Sequence, residues 1–232
     1  MTLQHVDIFF QLIVFLFAIS VHESAHAWMA NRCGDPTARM LGRISLNPLK
    51  HIDPVGTILL PAIALFASYK SGHNIPVLGW AKPTPVDPRN FKSPVWDDIK
   101  TSVVGPISNF IVASAATVVL AAIAVAAPGG RIIVQGVVAD RLLLGDSALA
   151  PFTLLLYELL VINVVLAVFN LIPVPPLDGS HVLRHFLSEP VRRAYDTIGW
   201  LGLMALVYLG GGLLSALIRP VLNLYRSILM SV

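Results

Sequence analysis

The chain has 232 residues, of which 56% are hydrophobic and only 12% are charged, and its mean hydropathy is +0.75. This composition is too apolar and too poor in charge for a soluble domain, and it indicates a membrane protein. The net charge of +3 does not indicate nucleic-acid binding, because the Lys and Arg residues lie in loops between apolar segments. The one cysteine, Cys33, cannot form a disulfide within the chain.

The first apolar segment, residues 6–30, is long enough to cross a bilayer and carries the motif H-E-x-x-H near its end. On a helix His22 and His26 share a face, so both can bind one metal ion, and Glu23 can hold a water on it. This is the zinc metalloprotease signature. Ionisable residues inside an apolar helix are costly and indicate function, with packing against other helices as the alternative. The segment is too long for a cleavable signal peptide.

The next residues are predicted to form short irregular structure. The alternating pattern and the Gly and Pro residues of 39–48 favour a short strand or hairpin. His51 and Asp53 come directly afterwards. They could bind metal, but interfacial polar residues are the simpler interpretation.

A second apolar segment, residues 54–69, is marginal in length for a span and contains Pro61. The polar stretch that follows includes the proline-rich residues 79–91, which are expected to be extended and which contain Trp80. They form either an exposed strand edge that docks an extended peptide or a plain surface loop.

The third segment, residues 101–127, is long enough to span and contains the motif G-P-x-x-N. Gly105 and Ser108 allow another helix to approach closely. Asn109 is a polar group that must find a partner inside the membrane.

The fourth segment, residues 150–172, is also expected to span, and it ends in prolines that stop the helix and hold the chain extended. Asp178 follows, backed by a glycine turn. Alone, the motif P-x-D-G usually marks a turn, but together with H-E-x-x-H it makes Asp178 the candidate for the third ligand that an open catalytic zinc site needs. His181 and His185 repeat the i, i+4 spacing, but no Glu follows His181, so we interpret them as bystanders. A fifth segment, residues 197–218, is expected to span, with an interfacial tail.

Together the three motifs resemble those of the site-2 proteases, a family of zinc intramembrane peptidases. The matching residues are spread over most of the chain: His22-Glu23-x-x-His26, Gly105-Pro-x-x-Asn109 and Asn170-x-x-Pro-x-x-Pro-x-Asp178-Gly179. The resemblance implies cleavage of transmembrane helices in partner proteins, with Asn109 engaging the substrate strand. Gly105 and Trp80 are further candidates for substrate binding. Unlike larger members, the chain has no room for a PDZ or CBS domain.

We therefore expect one all-α polytopic membrane domain over residues 1–232, with four to five transmembrane helices, a re-entrant segment, and short β-hairpin or extended loops near the active site. One zinc per chain is expected on His22, His26 and Asp178, with Glu23 as general base. The expected partners are the lipid bilayer and transmembrane substrates, not nucleic acid.

The rival functions are a zinc or proton-coupled transporter and an inactive scaffold. A transporter has little need of a glutamate directly after the first histidine, and an inactive scaffold does not need all three metal ligands together with the base.

Topology follows from a parity argument. The histidines near the end of the first segment and Asp178 just past the fourth must meet, so one intervening segment must not cross. Of the second and third segments, residues 54–69 are the shorter. Basic residues flank them on both sides, and basic loops favour the cytoplasm, so this segment is expected to enter and leave the membrane from the cytoplasmic side. We expect the zinc to lie toward the cytoplasmic side of a prokaryotic cell (inner) membrane.

Overall fold

The computed structural model describes residues 3–60, 63, 66, 80–141 and 149–232. The described residues are mostly helical and include no strand, which confirms the expected all-α class. Three short elements are a 3₁₀-helix at Pro48–Lys50, a π-helix at Pro54–Leu59 and a 3₁₀-helix at Pro88–Asn90. The α-helices in chain order are α1 (Leu3–Cys33), α2 (Thr37–Met40), α3 (Pro94–Ala126), α4 (Gly130–Val138), α5 (Leu149–Asn170), α6 (Asp178–Arg184), α7 (Glu189–Leu209) and α8 (Gly211–Ser231).

Four of these helices are long and apolar enough to cross a membrane: α1 from Phe10 onwards, α3, α5 and α8. Four candidate spans among the described residues agree with the expected four to five. Of the second apolar segment, only residues 54–60, 63 and 66 are described, and it begins as the π-helix. The re-entrant course expected for residues 54–69 therefore falls largely outside the described residues and stays a prediction.

The hairpin expected over residues 39–48 is not found. Helix α2 occupies the start of this stretch, and the chain then turns at Gly42, whose φ of +67° is in the left-handed region that glycine adopts readily. The side chain of Asn47 accepts the Leu49 N–H and so caps the 3₁₀-helix that follows. Local turn and cap chemistry here outweighs the alternating apolar pattern.

The fifth segment also differs from its prediction. Helix α7 is kinked at Gly199, where φ is +37°, and it ends at Gly210. A new helix, α8, then runs through Pro220 to Ser231, so the spanning candidate is α8 rather than residues 197–218. The expected interfacial tail is part of this spanning candidate. A glycine in a helix interior is destabilising, and three in a row make the break at Gly210.

The chain divides into two compact units, and one of them contains residues 1–18, 106–169 and 213–232. Its core is formed where α3, α4, α5 and α8 pack together. Ala113 and Ala116 allow these helices to approach closely, because small residues bring backbones together. The larger side chains in this core are Leu120, Val134, Leu160, Val164 and Leu229.

The other unit contains residues 19–105 and 170–212. It includes the C-terminal half of α1, the first turns of α3, and α6. A small cluster of Ala30, Cys33 and Phe91 joins the end of α1 to the stretch before α3. All the residues expected to bind metal lie in this unit.

Candidate metal centre

Helix α1 brings two imidazoles together on one face. The Nε2 atoms of His22 and His26 lie 3.0 Å apart, and the two side chains are almost fully buried, with 7% and 8% of each residue exposed. Their separation of four residues is one helical turn, which places the rings one above the other. Both nitrogens therefore face the same point.

Asp178 reaches this point as the first residue of α6. Helix α5 ends at Asn170, and the proline-rich stretch after it is not extended, as was expected, but folds into two successive turns. Gly179 packs so closely on the Leu171 carbonyl that a Cβ there would collide with it. This tight turn places Asp178 Oδ2 3.1 Å from His22 Nε2 and 3.4 Å from His26 Nε2.

The two histidine Nε2 atoms and Asp178 Oδ2 have the spacing expected of three ligands on one metal ion. Ligands about 2.0–2.1 Å from a tetrahedral zinc ion lie about 3.3 Å from one another, close to the three observed separations. Asp178 Oδ2 is buried and takes no hydrogen bond from the described residues. These residues fit zinc in both chemistry and spacing, and they are the only such cluster among the described residues.

The tautomer of His26 is fixed by a neighbour on α3. His26 Nδ1 lies 2.6 Å from the Thr101 carbonyl oxygen, which can only accept, so Nδ1 carries the proton. The Nε2 lone pair is then free to point toward Asp178 and His22. A hydrogen bond of this kind orients metal-binding histidines.

Gly105 forms the wall behind the two imidazoles. A Cβ at this position would collide with His26 Nε2 and His22 Cε1. The close approach expected of Gly105 is thus made to the metal-binding side chains themselves. Only glycine leaves room for them against α3.

Glu23 is held by a residue that the sequence reasoning missed. The main-chain N–H and the hydroxyl of Thr84 both donate to Glu23 Oε2, at 2.9 and 2.7 Å, and the hydroxyl also lies 3.0 Å from the Glu23 carbonyl oxygen. The only sequence signal was indirect, since Thr84 lies between two prolines in the extended stretch.

The remaining substrate-binding candidates lie in well-packed positions. Trp80 stacks edge-on with Trp200 at 5.3 Å between ring centroids, and it covers Gly56 of the π-helix. Asn109 is fully buried and donates to the Asn163 side chain, at 2.8 Å, and to the carbonyl of Ala18. Substrate binding by Trp80 and Asn109 stays a prediction.

The other histidines lie outside the metal cluster. His51 is buried, and its Nε2 bonds to the Ser45 carbonyl, while Asp53 caps the π-helix. His181 and His185 also lie outside the cluster, as expected of bystanders to the metal site, but His185 Nε2 pairs with Asp98 Oδ2 at 2.7 Å, and His181 lies 3.9 Å from the same atom.

Helices that can cross a membrane and a buried His/His/Asp cluster beside a glutamate define a membrane metalloprotease. The sequence pattern of peptidase family M50 matches residues 10–209. A Bacillus subtilis (strain 168) protein named "Putative zinc metalloprotease YwhC" is 34% identical over 181 residues, which cover 78% of this chain and 70% of that protein. A Mycolicibacterium smegmatis (strain ATCC 700084 / mc(2)155) protein named "Putative zinc metalloprotease Rip2" is 28% identical over 228 residues, covering 95% and 71%. No solved structure matches the chain significantly.

Because the family pattern covers most of the chain, the chain belongs to peptidase family M50, the site-2 protease family. It is an integral membrane protein and a zinc metalloendopeptidase. The resemblance drawn from the three motifs is confirmed, and the transporter alternative is not favoured.

Proposed function

We propose that the chain is an intramembrane endopeptidase that hydrolyses peptide bonds in locally unwound transmembrane segments of other membrane proteins. The observation that carries this proposal is the cluster of His22, His26 and Asp178, in which both histidines and the adjacent Glu23 lie on a helix long enough to span a bilayer. Ionisable groups in such a helix are costly and are retained for function.

The residues divide the chemistry between them. His22, His26 and Asp178 would hold zinc, which when bound supplies Lewis-acid chemistry that activates a water and polarises the scissile carbonyl. Glu23 takes a proton from the attacking water and later passes it to the departing amide nitrogen. The Thr101 carbonyl keeps His26 in the tautomer that can bind metal.

A substrate helix must unwind before it can be cut, because its carbonyls are bonded within the helix. Residues 80–87 form neither helix nor strand, and Thr84 holds them beside Glu23. They are the proposed dock for the opened strand, with Trp80, Gly105 and Asn109 as further contacts. Prolines 83 and 85 have no N–H, and the N–H groups of four neighbours are bonded within this unit. A docked peptide would therefore mainly donate to carbonyls of this segment. The neighbours with bonded N–H groups are Trp80, Lys82, Thr84 and Asp87.

We further place the zinc toward the cytoplasmic side of a prokaryotic inner membrane. Basic residues follow α1 and precede α3, and basic loops favour the cytoplasm. Both relatives named above are bacterial proteins.

Cleavage by the purified protein tests this function. We expect the zinc-loaded protein in detergent to cut a transmembrane peptide and to lose this activity with a chelator, and we expect added zinc to restore it. A peptide of the same sequence locked as a helix by side-chain crosslinks is the matched control and should be cut at least about tenfold more slowly. Equal cleavage of the locked and unlocked peptides would contradict the unwinding step, and zinc transport into vesicles without cleavage would contradict the proposal.

A further inference from the structure

Thr84 makes the most specific contact to the proposed base outside α1. Its main-chain N–H donates to Glu23 Oε2 at 2.9 Å, and its hydroxyl donates to the same oxygen at 2.7 Å. The hydroxyl also lies 3.0 Å from the Glu23 carbonyl oxygen, so Thr84 contacts both the side chain and the backbone of Glu23. Among the described residues, Glu23 Oε1 accepts no hydrogen bond.

The segment that carries Thr84 is fixed on both sides. Before it, the N–H of Lys82 donates to the His51 carbonyl at 2.8 Å, and the Arg43 guanidinium donates to the carbonyls of Lys82 and Pro83. After it, the N–H of Asp87 donates to the buried Asp35 carboxylate at 2.7 Å. These anchors leave Thr84 little freedom to move away from Glu23.

The local sequence concentrates hydrogen-bond donors on one residue. Pro83 and Pro85 have no N–H, so Thr84 supplies the only main-chain donor in this tripeptide. The two branches on its Cβ restrict χ1, which keeps the hydroxyl aimed in one direction. Threonine combines a fixed N–H and a fixed hydroxyl at a single point.

We propose that Thr84 is a positioning residue for the hydrolysis reaction, holding Glu23 Oε2 so that Oε1 faces the attacking water. This inference rests on the proposed function. Because the residue sits in the proposed docking segment, one segment both aligns the substrate and orients the base. Positioning of this kind contributes to the rate by pre-ordering the reacting groups.

The proton balance assigns different tasks to the two oxygens. When water attacks the peptide carbonyl carbon, one water O–H bond breaks and its proton passes to Glu23 Oε1. When the C–N bond breaks, that proton passes from Oε1 to the amide nitrogen, which leaves as an amine. Thr84 donates to Oε2 throughout, and it neither gains nor loses a proton.

Substitutions of the hydroxyl test the inference in the zinc-loaded protein. Thr84→Val removes the hydroxyl but keeps the N–H and the branched shape, and it should lower kcat by about tenfold to hundredfold, the range expected for a lost hydrogen bond to a charged group. Thr84→Ser restores the hydroxyl and should recover kcat to within about threefold of wild type. KM and bound zinc should stay unchanged in both variants.

Three further variants make the result decisive. Thr117→Val removes a buried hydroxyl that bonds to the Ala113 carbonyl on α3, and it should leave kcat unchanged. Thr84→Ala also lacks the hydroxyl and replaces Thr84→Val in the test if that variant does not fold. In a Glu23→Asp background the shorter side chain cannot reach Thr84 in the same way. There, Thr84→Val should lower kcat by less than about twofold.

Wild-type kcat in Thr84→Val, or equal losses in the Val and Ser variants, would overturn the positioning role. A loss of zinc or a rise in KM that accounts for the whole effect would also overturn it. Failure of the proposed function would give a different result: the wild-type protein itself would not cleave the substrate, and Glu23→Gln would show no loss of activity.

Discussion

The metal-binding imidazoles are confined by two small features of α3. The Thr101 carbonyl accepts from His26 Nδ1, and Gly105 leaves the space that the two rings occupy. A histidine side chain has two rotatable bonds, and each restriction removes freedom that metal binding would otherwise have to remove. We therefore expect these neighbours on α3 to influence zinc affinity although they do not touch the metal.

Gly105→Ala should lower zinc affinity by about tenfold to hundredfold, the range seen when groups that support metal ligands are lost. The added methyl collides with both imidazoles, and these cannot move aside without losing their mutual geometry. Zinc content after dialysis at a series of free zinc concentrations measures the effect. Gly211→Ala is the control, because a Cβ there meets nothing within 4 Å, and it should bind zinc like wild type. Equal affinities in the two variants would contradict the role given to Gly105.

The Asp35 carboxylate should make stability fall in acid. Burial opposes its ionisation, but hydrogen bonds from Thr37, Asp87 and Asn90 outweigh burial and lower its pKa. Its folded pKa thus lies below the unfolded value of about 3.9. The carboxylate stabilises the fold above that value, and this contribution is lost as pH falls through the folded pKa.

In Asp35→Asn we expect the free energy of unfolding at pH 7 to fall by roughly 1–3 kcal/mol, together with a weaker acid dependence below about pH 4. Thermal unfolding in detergent between pH 3 and pH 7 measures both. A variant with the wild-type acid profile would show that Asp35 does not carry the effect.

At the scale of elements, the placement of Asp178 depends on α6, a helix of only seven residues. Such a short helix is not stable by itself and must be held by its neighbours. His185, at its C-cap, pairs with Asp98 in the first turns of α3 at 2.7 Å. This pair ties the far end of α6 to the helix that also carries Gly105.

His185→Ala should therefore destabilise the protein by about 1–2 kcal/mol and accelerate zinc loss. His181→Ala is the matched control from the same helix, because His181 lies farther from Asp98, at 3.9 Å, and its side chain is 43% exposed. Chelator-driven zinc release compares the two variants. If His181→Ala releases zinc as fast as His185→Ala, the pair with Asp98 does not hold α6.

The sequence predicted best where one local rule decides the structure. The spacing of His22 and His26 fixes a shared face once the segment is helical. The length of an apolar run indicates whether a helix can cross the bilayer. Thr84 could not be found this way, because its contact with Glu23 joins residues 61 positions apart. The turn at Gly42 was missed because an alternating pattern over a few residues does not distinguish a strand from a series of turns.

For the whole molecule, the candidate spans among the described residues agree with the parity argument if residues 54–69 do not cross the membrane. Helices α1, α3 and α5 are the candidate spans before Asp178 in the part of the chain that the structure describes, and with these three crossings we expect the ends of α1 and α5 on one side of the membrane. Contacts also link the stretches on either side of residues 54–69. The His51 carbonyl accepts from Lys82, and Asp35 accepts from Asp87 and Asn90. We therefore expect both stretches to lie on the side of the membrane where α1 ends.

Cysteine labelling in a Cys33→Ser background tests this topology. Single cysteines at Ser45 and Asn90 should react from the same side of sealed vesicles, and we expect that side to be cytoplasmic. A cysteine at Arg131, beyond α3, should react only from the other side. Labelling of positions 45 and 90 from opposite sides would show that residues 54–69 cross the membrane.

Glu23 is proposed as the base of a zinc-dependent cleavage reaction, and the most direct test measures zinc and cleavage together in one variant. The amide of Glu23→Gln cannot accept the water's proton, yet the ligands His22, His26 and Asp178 are intact. We predict that Glu23→Gln retains one zinc per chain and shows no cleavage of a transmembrane substrate, whereas Asp178→Ala loses both. Cleavage by Glu23→Gln at the wild-type rate, with zinc bound, would contradict the account.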